Sequence, residues 1–193
     1  MDSFARIALS SKKNAKSRIA VVDRLLGTDP PSGGEALEIG CGAGFVSAHV
    51  ARTYGMNVVA TDSDQQMLDI ARKKNGSESK VSFSIADASA LPFGEATFDL
   101  VIAQNVLHHV PDWRKATDEV ARVLRPGGLF VFSDMSGPST TMKLFSHAKE
   151  SHGFRDIAEL VDRMAIKDIE VLHGTRPDVG REFEMLFSKK AVT

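Results

Sequence analysis

Along this chain, short unbroken apolar runs alternate with longer stretches in which apolar residues return at helical spacing. Ala36-Leu37-Glu38-Ile39, Asn57 to Thr61, Val81 to Ala86, Asp99 to Ala103 and Leu129 to Ser133 each read as a strand. The stretches between them read as helices. Phe45 to Tyr54 brings Phe45, Val46, His49, Val50 and Tyr54 to one side, and Asp64 to Asn75 opens on an acidic residue and closes on Arg72, Lys73 and Lys74. Asp112 caps a third helix, with Trp113, Ala116, Val120, Val123 and Leu124 at helical spacing, and Pro126-Gly127-Gly128 stops it. The Asp99 to Ala103 run is apolar enough for burial on both faces of a parallel sheet. Five strands alternating with helices predict a doubly wound α/β sheet.

The two ends follow a different pattern. Lys13 to Leu26 is an amphipathic lead-in helix with Ile19, Val22, Leu25 and Leu26 on one side, ended by Gly27 and Pro30-Pro31. Beyond Asp134, Thr140 to Met164 reads as helical and polar, and Ile169 to His173 and Glu182 to Ser188 as two strands of an antiparallel hairpin around Gly174 to Gly180. At 193 residues and 42% hydrophobic content, one domain is the expectation. A net charge of −1 speaks against broad nucleic-acid binding, and the basic cluster Lys12, Lys13, Lys16 and Arg18 reads as a solvated helix face. The single cysteine, Cys41, excludes an internal disulfide framework and a multi-cysteine metal site. No run approaches the roughly twenty apolar residues of a membrane span, and a cytoplasmic location is expected.

The chemistry concentrates in Glu38-Ile39-Gly40-Cys41-Gly42-Ala43-Gly44-Phe45, between a strand and a helix. Glycine there lets backbone approach a ligand, and the helix N-terminus beyond it favours an anionic group. The spacing discriminates among ligands. A dinucleotide fingerprint needs its last glycine where Phe45 stands, which disfavours NAD. Glu38, unwelcome beside a pyrophosphate, suits a cationic amine such as the methionine end of S-adenosylmethionine. Asp62, about twenty residues on at a strand end, can accept from both hydroxyls of a ribose. Asp87 can contact a ligand or simply open a loop through its own backbone bonds.

The glycine loop, Thr61-Asp62-Ser63, Ala86-Asp87-Ala88, Leu91-Pro92-Phe93, Phe98-Asp99-Leu100-Val101 and Leu124-Arg125-Pro126-Gly127-Gly128 stand in an order that resembles the class I methyltransferases. The similarity runs from about Glu35 to Asp134, to the branch that includes ubiquinone and menaquinone biosynthesis enzymes and many small-molecule methyltransferases. It implies a Rossmann-like seven-stranded sheet of order 3-2-1-4-5-7-6 with strand 7 antiparallel, and S-adenosyl-L-methionine as cofactor. By that resemblance Glu38, Gly40 and Gly42 surround the methionine portion, Asp62 and Ser63 take the ribose side, and Asp87 with Ala88 recognises adenine. Met67 covers the adenine face or simply packs, and Gln104 lies near the methionine amine and the sulfonium. The domain expectation is one methyltransferase unit, 1–193: lead-in 1–34, cofactor core 35–135, helical lid 136–166 and hairpin 167–193.

Methyl transfer from a sulfonium is an in-line displacement that rests largely on positioning, so a universal catalytic residue is not expected. An oxygen or carbon acceptor needs a base, and the candidates are His108 and His109 after strand four, with His147, His152 and His173 in the tail; for the first two a structural turn before Val110-Pro111 is the competing reading. The Gln104-Asn105-Val106-Leu107 segment lacks the Asn-Pro-Pro-Tyr signature of many nucleic-acid and protein amide methyltransferases, which favours a small-molecule acceptor. Met142, Leu144, Phe145, Phe154 and Met164 are candidates to line its lid. A cofactor-binding subunit without turnover, and a nucleotide-dependent oxidoreductase, are the alternatives.

Overall fold

The computed structural model describes residues 12–28, 30–135, 157–175 and 182–191. In chain order they form α1 (Lys12–Leu26), β1 (Glu35–Ile39), α2 (Phe45–Tyr54), β2 (Asn57–Asp62), α3 (Gln65–Asn75), β3 (Val81–Ile85) and β4 (Phe98–Gln104). A 3₁₀ turn (Leu107–His109), α4 (Trp113–Val123), β5 (Leu124–Met135), α5 (Ile157–Ile166), β6 (Ile169–Thr175) and β7 (Glu182–Lys189) complete the order. The strands make one seven-stranded sheet in the order β3-β2-β1-β4-β5-β7-β6, with β7 antiparallel to both neighbours and the other pairs parallel. This is the expected Rossmann-like α/β sheet, and the closing hairpin is present.

The register sets out the site. Ile39 pairs with Thr61 and Ala103, Asp62 with Ile85, and Gln104 with Ser133, so the carboxyl ends of β1 to β5 finish nearly level. Ligands of open α/β sheets bind along such an edge. Beneath it, one core packs Leu37, Val101, Phe130, Phe132 and Phe187 with Trp113 and Val120 of α4. On the other face Val22 and Leu25 of α1 and Val46 and Val50 of α2 pack with Leu100 and Ile102. Each such side chain contributes about 1.5–3 kcal/mol when fully buried.

Two details depart from the sequence pattern. Strand β5 begins at Leu124, directly where α4 ends, instead of at Leu129 after a Pro-Gly-Gly turn. Leu124 pairs with Phe98 and Leu129 with Leu100, so Arg125 to Gly128 are accommodated as a bulge, with Gly127 at φ +79°. Of the segment 136–166 expected as a lid, residues 157–166 form α5, which lies on the sheet with Leu160 and Met164 buried in the main core. Met164 therefore packs instead of lining an acceptor space; Met142, Leu144, Phe145 and Phe154 lie outside the described residues.

Candidate cofactor and acceptor site

The turn from β1 to α2 runs through Gly40 to Gly44, with φ of +70° at Gly40 and +54° at Gly42. A Cβ on Gly40 would stand 2.6 Å from Cγ2 of Val106, whereas one on Gly42 would meet only Met67 at 3.6 Å and the Arg18 guanidinium at 4.0 Å. Gly40 is thus locked under the segment after β4, and Gly42 looks toward α1. Side chains from α3 and β2 hold the turn: Asn75 Nδ2 donates to the Ala43 carbonyl at 2.8 Å, and the Gly42 N–H donates to Asp62 Oδ2 at 2.9 Å. From sequence, Asn75 reads only as a helix stop. Gly44, the N-cap of α2, offers no capping side chain; in the first turn the Ser47 N–H is turned to Glu38, which leaves the N–H groups before it and the helix's partial positive charge to a ligand.

Two carboxyl groups flank the loop. Glu38, on β1, is buried and accepts a hydrogen bond from the Ser47 hydroxyl of α2. Burial pushes its carboxyl up to about 7, against the pull of that hydroxyl and of the Arg18 guanidinium. Asp62 accepts from the Gly42 N–H and, through Oδ1, from the Asp64 N–H at 2.9 Å. Its carboxyl is raised by burial, and these backbone bonds oppose the shift. Asp64 is the N-cap of α3, accepting from Gln66 N–H, which leaves Asp62 to the loop and the cleft. Cys41 is buried, its thiol pushed up by burial, and packs with Ala60 and Leu68.

Helix α1 contributes what the sequence pattern assigns to solvent. A cavity of about 220 Å³ lies between it and the sheet edge, lined by Asn14, Ser17, Arg18, Val21, Gln104, Asn105 and Ser133. Lys16 is exposed, but Arg18 is half-buried and turned to the glycine loop. It stands four and seven residues before Val22 and Leu25, on the core side of the helix, and that spacing is the signal that could have separated it from the lysines. Among the described residues no hydrogen-bond acceptor partners its guanidinium. Gln104 is buried, its Nε2 donates to the Arg18 carbonyl at 3.2 Å, and its Oε1 is buried without a hydrogen-bond partner. A buried acceptor left unpaired costs about 1–3 kcal/mol.

Beyond Asp62 a second hollow of about 430 Å³ is lined by Ser63, Ile85, Ala86, Asp87, Ala90 and Pro92. Asp87 Oδ1 closes an Asx turn by accepting from both N–H and Oγ of Ser89 at 2.8 Å, so the loop-opening role is real. The residue still borders the hollow. Ala88 is buried in the main core, and Met67 is buried beneath Gly42 and does not line this hollow. Ile85, not singled out from sequence, is 52% exposed at the end of β3 and forms one wall.

After β4 the chain reverses at Asn105, φ +53°, whose N–H donates to the Ser133 carbonyl at 2.7 Å. The 3₁₀ turn that follows buries His108 and leaves His109 exposed, their rings 3.9 Å apart. His108 Nδ1 lies 2.5 Å from Oδ1 of Asp134, a fully buried carboxyl near the end of β5. The described residues contain no group of His, Cys, Asp and Glu able to hold a metal ion, and no helix long and apolar enough to cross a membrane.

Comparison with known proteins agrees with this layout. Residues 37–132 match the methyltransferase domain family. The chain is 38% identical over 109 residues to a demethylmenaquinone methyltransferase of Clavibacter sepedonicus, covering 56% of this chain and 44% of that protein. It is 33% identical over 133 residues to a malonyl-[acyl-carrier protein] O-methyltransferase of Legionella pneumophila, covering 68% and 46%. The chain therefore spans less than half the length of these relatives. Among solved structures, a chain from the complex of the Haloferax volcanii Trm112 methyltransferase activator with a methyltransferase superposes with a TM-score of 0.78 at 17% identity, covering 98% of this chain and 99% of that one. The Haemonchus contortus phosphoethanolamine N-methyltransferase 2 bound to S-adenosyl-L-methionine superposes with a TM-score of 0.76 at 17% identity, covering 92% and 53%. Sheet order, glycine loop and family match together make this chain a member of the class I methyltransferases, the family that takes its methyl group from S-adenosylmethionine.

Proposed function

We propose that the chain binds S-adenosylmethionine along the edge of β1, β2 and β4 and delivers its methyl group to a small-molecule acceptor. The observation that carries the reading is one cavity by the glycine loop lined both by Arg18, whose guanidinium has no hydrogen-bond acceptor among the described residues, and by Gln104, whose buried amide oxygen is unpaired. A cation and a bare acceptor bordering one cavity suit the carboxylate and ammonium of an amino-acid end. Asp62 and the α2 N-terminus would hold the ribose side, and the hollow of Ser63, Ile85 and Asp87 would take the flat base. Glu38, buried behind the loop with its carboxyl pushed up to about 7, keeps its proton below that pH, and a cationic ligand beside it would favour the charged form.

When bound, the donor supplies a methyl group on a sulfonium, an activated leaving group. This chain's residues then orient, enclose and desolvate. Orientation alone is worth about 7–11 kcal/mol in favourable cases. Curated relatives, a demethylmenaquinone methyltransferase and a 27-O-demethylrifamycin SV methyltransferase among them, support an acceptor of small-molecule type.

Calorimetry with S-adenosylmethionine, S-adenosylhomocysteine and NAD, on wild type and Asp62→Ala, tests the cofactor half. The first two are expected to bind and NAD not. Loss of the charge-assisted bonds of Asp62 is expected to weaken binding roughly ten- to hundredfold. Failure of both sulfur nucleosides to bind wild type would overturn the reading, and binding without transfer to any acceptor would favour a regulatory subunit.

A further inference from the structure

We propose that Arg122 and Glu119, an ion pair on α4, are positioning residues for the base of the ligand, fixing the wall against which a 6-aminopurine is told from a 6-oxopurine; this rests on the cofactor reading above. The wall is the loop after β3, where Ala90 and Pro92 line the hollow together with Asp87. Arg122 holds that loop on both sides of Pro92: Nη2 donates to the Leu91 carbonyl at 3.1 Å and Nη1 to the Phe93 carbonyl at 2.6 Å. Glu119 takes the Leu91 N–H, accepting it on Oε2 at 2.7 Å. Two further bonds of 2.7 Å, from Nε and Nη2 of Arg122, tie the two side chains to each other. The Arg122 carbonyl also accepts from the Ala96 N–H at 2.9 Å, which closes the far end of the loop on the same residue.

An ion pair three residues apart on a solvated helix face does little for a fold. This one is turned to the loop, and among the described residues the side-chain bonds it makes outside itself all go to the backbone of Leu91 and Phe93. The Arg122 guanidinium holds the Glu119 carboxyl below its ordinary range, so the pair stays charged. Apolar packing seats the loop separately: Ala88 and Leu91 are buried in the main core, and the Phe93 ring meets Phe98 edge-on, centroids 5.2 Å apart. Packing alone leaves the tilt of the loop free. Directed bonds to the carbonyls before and after Pro92 fix it, and with it the face that this ring turns to the hollow.

The groups bordering the hollow decide which base profits. Asp87 spends Oδ1 on Ser89, and its Oδ2 has no hydrogen-bond partner among the described residues. A carboxylate oxygen only accepts, so it matches the 6-amino group of adenine and opposes the 6-oxo group of hypoxanthine. That choice is enforced only while the base is held at one depth and one angle. A wall fixed before the ligand arrives costs no ordering on binding. A loosened wall lets the base shift and water satisfy the oxo group, so discrimination falls while the contacts of the ribose and the amino-acid end persist.

Calorimetry with S-adenosylhomocysteine and its 6-oxo analogue S-inosylhomocysteine tests this on wild type, Arg122→Lys, Glu119→Gln and Arg163→Ala. The ligands differ only in the base, so everything else cancels in the ratio of their dissociation constants. Lysine keeps the charge but cannot span two carbonyls and a carboxylate. Arg163→Ala is the structural control, unpairing Asp118 on the same helix without touching the loop. Wild type is expected to prefer the adenosyl ligand about tenfold or more, and that preference to fall at least about threefold in Arg122→Lys and Glu119→Gln but to stay within about twofold in the control. A wild-type ratio near one, a preference that survives in both loop variants while their Tm falls, or an equal drop in the control overturns the proposal. A second measurement needs no variant: in ligand-free wild type the Leu91 amide is expected to exchange its hydrogen at least about a hundredfold more slowly than in an unfolded chain, and exchange at the unfolded rate overturns the clamp. Failure of wild type to bind S-adenosylhomocysteine at all would instead sink the cofactor reading itself.

Discussion

Glu38 shows how one side chain ties the site to stability. Its folded carboxyl titrates near 7 against an ordinary 4.5, mainly through burial, so the folded chain holds this proton where the unfolded chain has lost it. Glu38 therefore supports the fold fully below about pH 4.5, and the support fades as pH rises through 7; the shift corresponds to about 3 kcal/mol. Glu38→Gln keeps an acceptor for the Ser47 hydroxyl without the titration. Urea unfolding from about pH 5 to 8 is expected to show stability falling less steeply in the variant than in wild type, and an equal slope would remove Glu38 as the cause. At this scale Glu38, Asp62 and the glycines were legible because their spacing sits inside one strand–helix–strand unit, β1 to β2. Asn75 and Asp134 were not, since their partners lie 32 and 26 residues away and a local pattern carries no sign of them.

Helix α1 is the element whose role changes most between pattern and structure. Its apolar stripe was plain, but the cavity it closes needs β4 and β5 beside it. Asp23 anchors it to α2, accepting from the Tyr54 hydroxyl at 2.6 Å and standing 2.7 Å from His49 Nε2, and Arg24 pairs with Glu184 of β7. Arg18 is thereby held over the loop. Arg18→Ala is expected to lower affinity for S-adenosylhomocysteine about tenfold or more and to leave adenosine, which has no carboxylate, unchanged. Calorimetry with the two ligands decides it, and equal losses would show that the helix, not its guanidinium, was disturbed. Strands and helices were readable from period; the Arg125–Gly128 bulge was not, because Pro-Gly-Gly fits a turn and a bulged strand equally well.

For the whole molecule, strand alternation announced a parallel sheet, but the order 3-2-1-4-5-7-6 followed from resemblance, since periodicity does not say which strands are neighbours. That order brings Glu38, Asp62, Gln104 and Asp134, spread over nearly a hundred residues, to one edge. Occupying the edge should stabilise everything beneath it. S-adenosylhomocysteine at about a hundred times its dissociation constant contributes about 2.7 kcal/mol, expected as a rise in Tm of roughly 5–10 °C by scanning calorimetry. No rise would argue that the ligand does not select the folded chain. The unpaired Gln104 oxygen gives this coupling a cellular meaning: with that acceptor bare, the ligand-free fold unfolds more readily and meets proteases more often. Abundance of the protein would then follow the supply of its methyl donor, with the polypeptide's own lifetime serving as the gauge.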